Sequence, residues 1–201
     1  HDDFKPGPRP NLLREPTLKL ISYMAHPNGW WRDNAQKEII RRGEKSAIPA
    51  LKEIILNKTN VLPATISAIA RLHALWTLEG LEGLEKEFVL EMLNDKNLQI
   101  RIAAIRLCEP YVKNDDSEII DRLGSMKDDE SGDLKVQLLL TLHFSKIEKA
   151  QATVNFISDQ NSGNKLFVEL NKSLVKNEET KKFGARLASL KEADRQLVLK
   201  G

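Results

Sequence analysis

A helical phrase recurs along this chain roughly every 30 to 40 residues, the period of stacked structural repeats. Its anchors are Arg32-Asp33-Asn34-Ala35, Arg71-Leu72-His73-Ala74, Arg101-Ile102-Ala103-Ala104, Lys135-Val136-Gln137-Leu138 and Lys165-Leu166-Phe167-Val168. In each, a cation is followed three positions later by an apolar residue, inside an apolar helix that follows a polar turn. A shorter, more amphipathic helix precedes most of them. Helix pairs of this kind bury their apolar faces only against their neighbours. The pattern therefore predicts an all-α fold: a right-handed HEAT-like α-α superhelix of about five helix pairs.

The pairs can be placed. Leu18, Leu20, Ile21 and Met24 predict a first helix capped by Thr17, broken at His26-Pro27-Asn28-Gly29. A second runs from Trp30 to about Arg42 and is closed by Gly43. Ser46 is the expected cap of the next helix, with Pro49 tolerated in its first turn. Pro63 is read as opening a long helix to about Glu79, closed by Gly80 and Gly83. Further pairs are expected near 85–93 and 98–112, near 117–126 and 133–145, and near 148–158 and 164–176. Leu98, Ile100, Ile102, Ala103, Ile105 and Leu107 leave little polar surface, so that helix needs cover on more than one side.

This gives a three-part organisation. Residues 1–16, with Pro6, Pro8, Pro10 and Pro16, read as an extended linker. Residues 17–177 are the repeat domain. Residues 178–201 are a polar C-terminal cap or a partly disordered tail. The chain starts at His1-Asp2-Asp3 without an initiator Met or a signal peptide, as a mature chain or an excised piece would.

Composition narrows the chemistry. Charged residues make up 30% of the chain and aromatics 5%, and the net charge of +2 offers no electrostatic case for wrapping a nucleic acid. A lone cysteine, Cys108, excludes an internal disulfide and any Cys-x-x-Cys ligand pair. It lies on an apolar stripe and is expected to behave as a small hydrophobe with an inert thiol. No apolar run approaches the ~20 residues that span a bilayer, so no direct membrane insertion is expected. No nucleophile–base pair, phosphate loop or metal-ligand spacing is legible, and the expectation is no catalytic residue, no cofactor and no metal.

Arg32, Arg71 and Arg101 occupy equivalent positions. They are read either as a row of guanidinium groups for an anion or as a structural ladder that includes Asp95. Their recurrence with the fold period favours the ladder, because a planar five-donor fork pairs well with a carboxylate or with carbonyls. Trp76 is expected in the core. Trp30 and Trp31 point about 100° apart on a helix, so at least one of them packs between repeats and the other stays open as an exposed anchor. His26, His73 and His143 fall in separate repeats without metal spacing. If second helices line a concave recognition surface, the candidate interaction face is Trp30 or Trp31 with Gln36, His73, Glu79, Gln99, Arg106 and Glu109.

Gly29-Trp30-Trp31-Arg32-Asp33-Asn34-Ala35-Gln36, followed by Arg71-Leu72-His73-Ala74-Leu75-Trp76-Thr77-Leu78-Glu79-Gly80-Leu81, is more specific than a generic repeat. Asp95, Ile100-Arg101, Ala104 and Leu107-Cys108-Glu109 come after it. This succession, over about residues 18–112, resembles the HEAT-like segment of the large membrane-bound dehydrogenase or haem-binding multidomain proteins of Planctomycetes, Verrucomicrobia and Bacteroidetes. In that family a propeller resembling sugar dehydrogenases precedes the repeats and a c-type cytochrome domain often follows. The haem motif is absent here, and the family assigns no catalytic residue to these positions. The resemblance implies an exported, periplasmic context and a spacer or docking module whose partners are flanking domains of the same polypeptide or another protein; as a fragment the chain is expected to be monomeric.

A rival from a different class is a HEAT-like DNA glycosylase acting on alkylated bases, with Trp30, Arg32 and Asp33 cast in its groove. The near-neutral charge counts against it, because such a groove engages phosphates and should be strongly basic.

Overall fold

The computed structural model describes residues 11–58 and 66–189. Among these residues every regular element is helical: α1 Thr17–Ser22, α2 Gly29–Arg42, α3 Ile48–Ile55, α4 Ala68–Gly80, α5 Lys86–Met92, α6 Leu98–Leu107, α7 Glu109–Lys113, α8 Ser117–Gly124, α9 Gly132–Leu142, α10 Glu148–Gln160 and α11 Lys165–Ser189. The all-α expectation holds, and helices fall where each pair was placed. No described helix is long and apolar enough to cross a membrane. The chain divides into two compact units, His1–Ala104 and Ile105–Gly201.

In the first unit α2 and α4 pack together, α3 lies against α4, and α1 with the 3-10 turn Tyr23–Ala25 packs on α2. Leu20, Ile21, Met24, Ala35, Ile39, Leu51, Ile54, Ile55, Ala74, Leu75 and Leu78 are fully buried there. Trp76, which the sequence places in the core, is only half-buried. In the second unit α10 packs on both α8 and α9, and α7 touches α8 and α9. Ile119, Leu123, Leu134, Leu138, Leu139 and Leu142 are fully buried.

Several boundaries differ from the sequence reading, each for a local reason. Thr17 is the first helical residue rather than the cap; Pro16 holds the cap position with its fixed φ and contributes no side-chain bond. Ser46 does not cap α3, because Lys45–Ala47 forms a 3-10 turn that feeds directly into it; Pro49 does sit in its first turn. Pro63 lies outside the described residues. The residue that starts α4 is Ser67, whose hydroxyl accepts the Ala70 N–H at 3.2 Å. The helix expected over 98–112 is broken at Cys108, because Pro110 has no N–H for the carbonyl one turn back and opens α7 instead.

Gly43 closes α2 in the left-handed region, φ 62°, as read. The end of α4 is different. There the left-handed residue is Glu82, φ 56°, and the Gly83 N–H reaches the Leu78 carbonyl at 2.9 Å. The two glycines serve close packing instead. A Cβ on Gly80 would stand 2.5 Å from Ile40 Cδ1, and one on Gly83 would stand 2.9 Å from Ile48 Cδ1.

The described part of the proline-rich lead-in is not extended throughout. Leu12–Arg14 forms a 3-10 turn with Leu12 buried. Residues 1–10 lie outside the described residues. At the other end α11 continues without interruption from Lys165 to Ser189, through the first half of the segment read as a cap or tail.

Candidate functional site

The recurring cations owe their positions to a feature of the phrase that precedes them. Four residues before each of the first four stands a good N-cap: Asn28 before Arg32, Ser67 before Arg71, Asn97 before Arg101, Ser131 before Lys135. Lys165 differs, being the first residue of α11 directly after Asn164, whose Oδ1 accepts the Leu166 N–H at 3.0 Å. Asn28 Oδ1 accepts the Trp30 N–H at 2.9 Å, Asn97 Oδ1 accepts the Gln99 N–H at 2.9 Å, and Ser131 Oγ accepts the Leu134 N–H at 3.3 Å. Such caps fix the helix start to the residue. The cation is thereby placed just inside the helix, within reach of the chain that enters it.

Arg32 uses that reach. Its Nη1 donates to the carbonyls of His26 at 2.7 Å and Pro27 at 2.9 Å. Arg101 repeats the arrangement, its Nη1 donating to the carbonyls of Asp95 at 3.0 Å and Lys96 at 3.4 Å. Arg71 joins three segments. Its Nε donates to the Ile55 carbonyl at the end of α3 at 2.6 Å, and its two Nη atoms grip both carboxylate oxygens of Asp95 in the turn before α6. Asp95 also accepts the Asn97 N–H at 2.8 Å. Burial raises the Asp95 acid, but the bonds from Arg71 and Asn97 outweigh it and hold the carboxyl below its usual range. In the second unit Lys135 is half-buried and lines a groove of about 310 Å³ with Lys127, Asp128 and Gln160.

Between α2 and α4 lies a polar knot. Arg32 and Gln36 are one turn apart on α2, and both reach His73 of α4. Gln36 Oε1 is 2.8 Å from His73 Nδ1, and Arg32 Nε donates to His73 Nε2 at 3.3 Å. An arginine Nε–H can only donate. His73 therefore carries its proton on Nδ1 and gives it to Gln36. Burial pushes the His73 pKa down; the nearby Asp33 carboxylate raises it and Arg32 lowers it, leaving the net direction downward. Asp33 Oδ1 is 3.9 Å from His73 Nε2 and largely exposed. The knot is thus a neutral imidazole held at both nitrogens, with no open position on the ring.

The tandem tryptophans split as their angular separation requires. Trp31 packs among aromatic rings, 4.9 Å from Tyr23 and 5.1 Å from His26 between centroids. Trp30 stands edge-on to it and is 50% exposed. Trp30, Arg32 and Asp33 do not converge: Arg32 turns to the entering carbonyls and His73, while Trp30 faces a different groove. Of the other candidates, Glu79, Gln99 and Arg106 are exposed, and Glu109 pairs with Lys113 at 3.8 Å. Gln36 and His73 face each other rather than solvent. Trp30 through Gln99 belong to the first unit; Arg106 and Glu109 belong to the second. Cys108 is fully buried, and burial lifts its thiol to about 12, so it stays protonated and unreactive.

Two residues that sequence reasoning missed organise the outer side of α2. Glu38 is buried and accepts from Arg41 Nε at 2.8 Å, Arg41 Nη2 at 2.6 Å and Arg42 Nε at 2.8 Å. Those bonds hold its carboxyl down to about 2. Arg42 then turns three further donors to the lead-in, the carbonyls of Leu12 at 2.9 Å, Leu13 at 3.1 Å and Glu15 at 2.8 Å, and pairs with Glu44 Oε1 at 3.2 Å. The available signal was Glu38 followed by two arginines at the third and fourth positions, the spacing of helical ion pairs. Beside this clamp a groove of about 280 Å³ opens between the turn at Leu12–Arg14 and the stripe Trp30, Asn34, Lys37 and Arg41.

Comparison of this chain with family models, with curated proteins and with solved structures finds no match.

Proposed function

We propose that this chain is a non-catalytic helical-repeat scaffold, a spacer or docking module that works against flanking domains of the same polypeptide or another protein. Its successive helix pairs stack as a HEAT-like right-handed superhelix, and its concave side and exposed edge residues meet the partner. The observation that carries this reading is the fate of the recurring polar residues. Arg32, Arg71 and Arg101 are bonded to backbone carbonyls of their own chain, and Arg71 also to Asp95. Side chains that recur with the fold period and are occupied inside the fold serve its construction. The resemblance over residues 18–112 supplies the context: a periplasmic multidomain oxidoreductase in which the redox chemistry belongs to the domains on either side.

Hydrogen exchange tests it. The chain alone and the same chain within its full-length parent are compared helix by helix. Docking predicts segments protected only in the parent, at least in part over α2, α4 and α6. Identical exchange in both contexts contradicts a spacer or docking role. Release of a base from duplex DNA carrying alkylated purines would replace the scaffold with the glycosylase.

A further inference from the structure

The groove beside Trp30 holds a combination the internal ladder does not use. Trp30 and Leu13 are large apolar side chains left 50% and 71% exposed, and they line the same cleft. Leu12 and Glu38 are the buried members of its lining. Asn34, Lys37 and Arg41 rise along the other wall, each about one helical turn from the last.

The wall is cationic. Arg41 and Arg42 both pair with Glu38 and Arg42 also with Glu44, so the charge left over on this wall is that of Lys37. Arg41 still has its side chain 64% exposed and one nitrogen without a bond to Glu38. Lys37 is exposed and has no ion-pair or hydrogen-bond partner among the described residues. The cleft is open and of a size that suits one large side chain. An apolar anchor between a tryptophan and a leucine, flanked by the unpaired Lys37 and the exposed edge of Arg41, is the arrangement that recognises a peptide by one buried side chain and the charges beside it.

We propose that this groove docks an acidic peptide segment of a partner protein, seating one aromatic or large aliphatic side chain between Leu13 and Trp30 with neighbouring carboxylates on Lys37 and Arg41. The proposal rests on the scaffold reading and gives it a specific contact. The buried Glu38–Arg42 clamp supports the cleft by fixing the Leu12–Arg14 turn, so the groove exists before the peptide arrives and little ordering is required on binding.

The test is an NMR titration of the full chain with three capped peptides: Ac-Asp-Glu-Phe-Asp-Glu-NH2, its all-lysine counterpart with the same Phe, and the acidic peptide with Ala in place of Phe. The Trp30 indole N–H, assigned with Trp30→Phe, is the reporter. The acidic Phe peptide should shift that resonance and the Lys37 and Arg41 amides, and bind at least tenfold more tightly than either control. Lys37→Glu should weaken it at least fivefold with an unchanged circular dichroism spectrum. Equal binding of the lysine peptide, or no shift near Trp30 at millimolar peptide, overturns the groove. A single-stranded oligonucleotide binding there more tightly than the acidic peptide also overturns it. Those failures leave the exchange comparison in the parent protein unaffected, whereas absent docking there fails the scaffold and leaves this titration to stand by itself.

Discussion

Arg71 of α4 and Asp95 of the α5–α6 turn form a two-pronged ion pair in which each guanidinium Nη atom meets one carboxylate oxygen. Both side chains are nearly buried, at 11% and 13% exposure. The same arginine holds the last turn of α3, and the same Asp95 residue offers its carbonyl to Arg101. One pair thus connects the end of one helix, the body of the next and the entry to a third. Exposed ion pairs contribute little, but a two-pronged pair screened from water is costly to break from one side only.

Arg42 fastens the lead-in through three carbonyls. Arg42→Met should therefore speed hydrogen exchange of the Leu12–Arg14 turn and the residues up to Thr17, while α4 in the same molecule keeps its protection. Mass-resolved exchange checks this. Uniform loss across the first unit would show that the clamp supports the whole unit instead.

Glu38 gives the protein an acid-sensitive fastening. Its carboxyl lies well below the unfolded value of 4.5, at about 2, held there by its bonds to Arg41 and Arg42. The unfolded chain then binds the proton first as pH falls. Stability from this group is complete above about 4.5, declines between 4.5 and 2, and is gone below that. Denaturant titrations of the native protein and of Glu38→Gln should converge as the pH is lowered through that window. Parallel curves would remove Glu38 from the account.

His73 acts in the same direction at higher pH. Its folded pKa lies below the ordinary imidazole value of 6.5, so its contribution is full above 6.5 and falls as pH drops until the folded imidazole also protonates. Nitrogen-detected NMR should find the proton on Nδ1 and a titration midpoint below 6.5. A proton on Nε2, or a midpoint above 6.5, would contradict the knot with Arg32 and Gln36.

The end of α4 allows a paired comparison. Glu82 is exposed with positive φ, and Glu82→Gly should stabilise the protein by about 1 kcal/mol. Gly80→Ala forces a methyl against Ile40 and should cost about 1–3 kcal/mol. Urea unfolding of the two variants measures both signs.

The helices were legible because their apolar residues repeat at helical spacing, as Ile119, Ile120 and Leu123 do in α8 and Leu51, Ile54 and Ile55 do in α3. Starts were harder to read. Ser67 and Asn97 cap by side chains that look ordinary in a polar turn, and Pro63, a residue common at the first helical position, is a competing start signal close to Ser67. The arginine ladder could be seen as a recurrence, but its acceptors are mostly backbone carbonyls, which carry no sequence signature. Glu38 is a charged residue buried beside Arg41, Arg42 and the Leu12–Arg14 turn, a long-range contact with no sequence signature. Trp30 and Trp31 had to diverge on a helix, yet which one faces solvent depended on Tyr23 and His26 closing over Trp31.

The central claim is that the recurring arginines hold the fold rather than a ligand, and the Arg71–Asp95 pair tests it most directly. A double-mutant cycle of Arg71→Met and Asp95→Asn, read by urea unfolding, should give single losses of about 1–3 kcal/mol. The double variant should lose less than their sum. Arg71→Lys should not restore the native value, because an ammonium cannot grip both oxygens. Phosphate and sulfate titrations should leave the stability of native protein and Arg71→Met equally unaffected beyond ionic strength. Additive single losses near zero, with anion-dependent stabilisation of the native protein that Arg71→Met abolishes, would contradict the account.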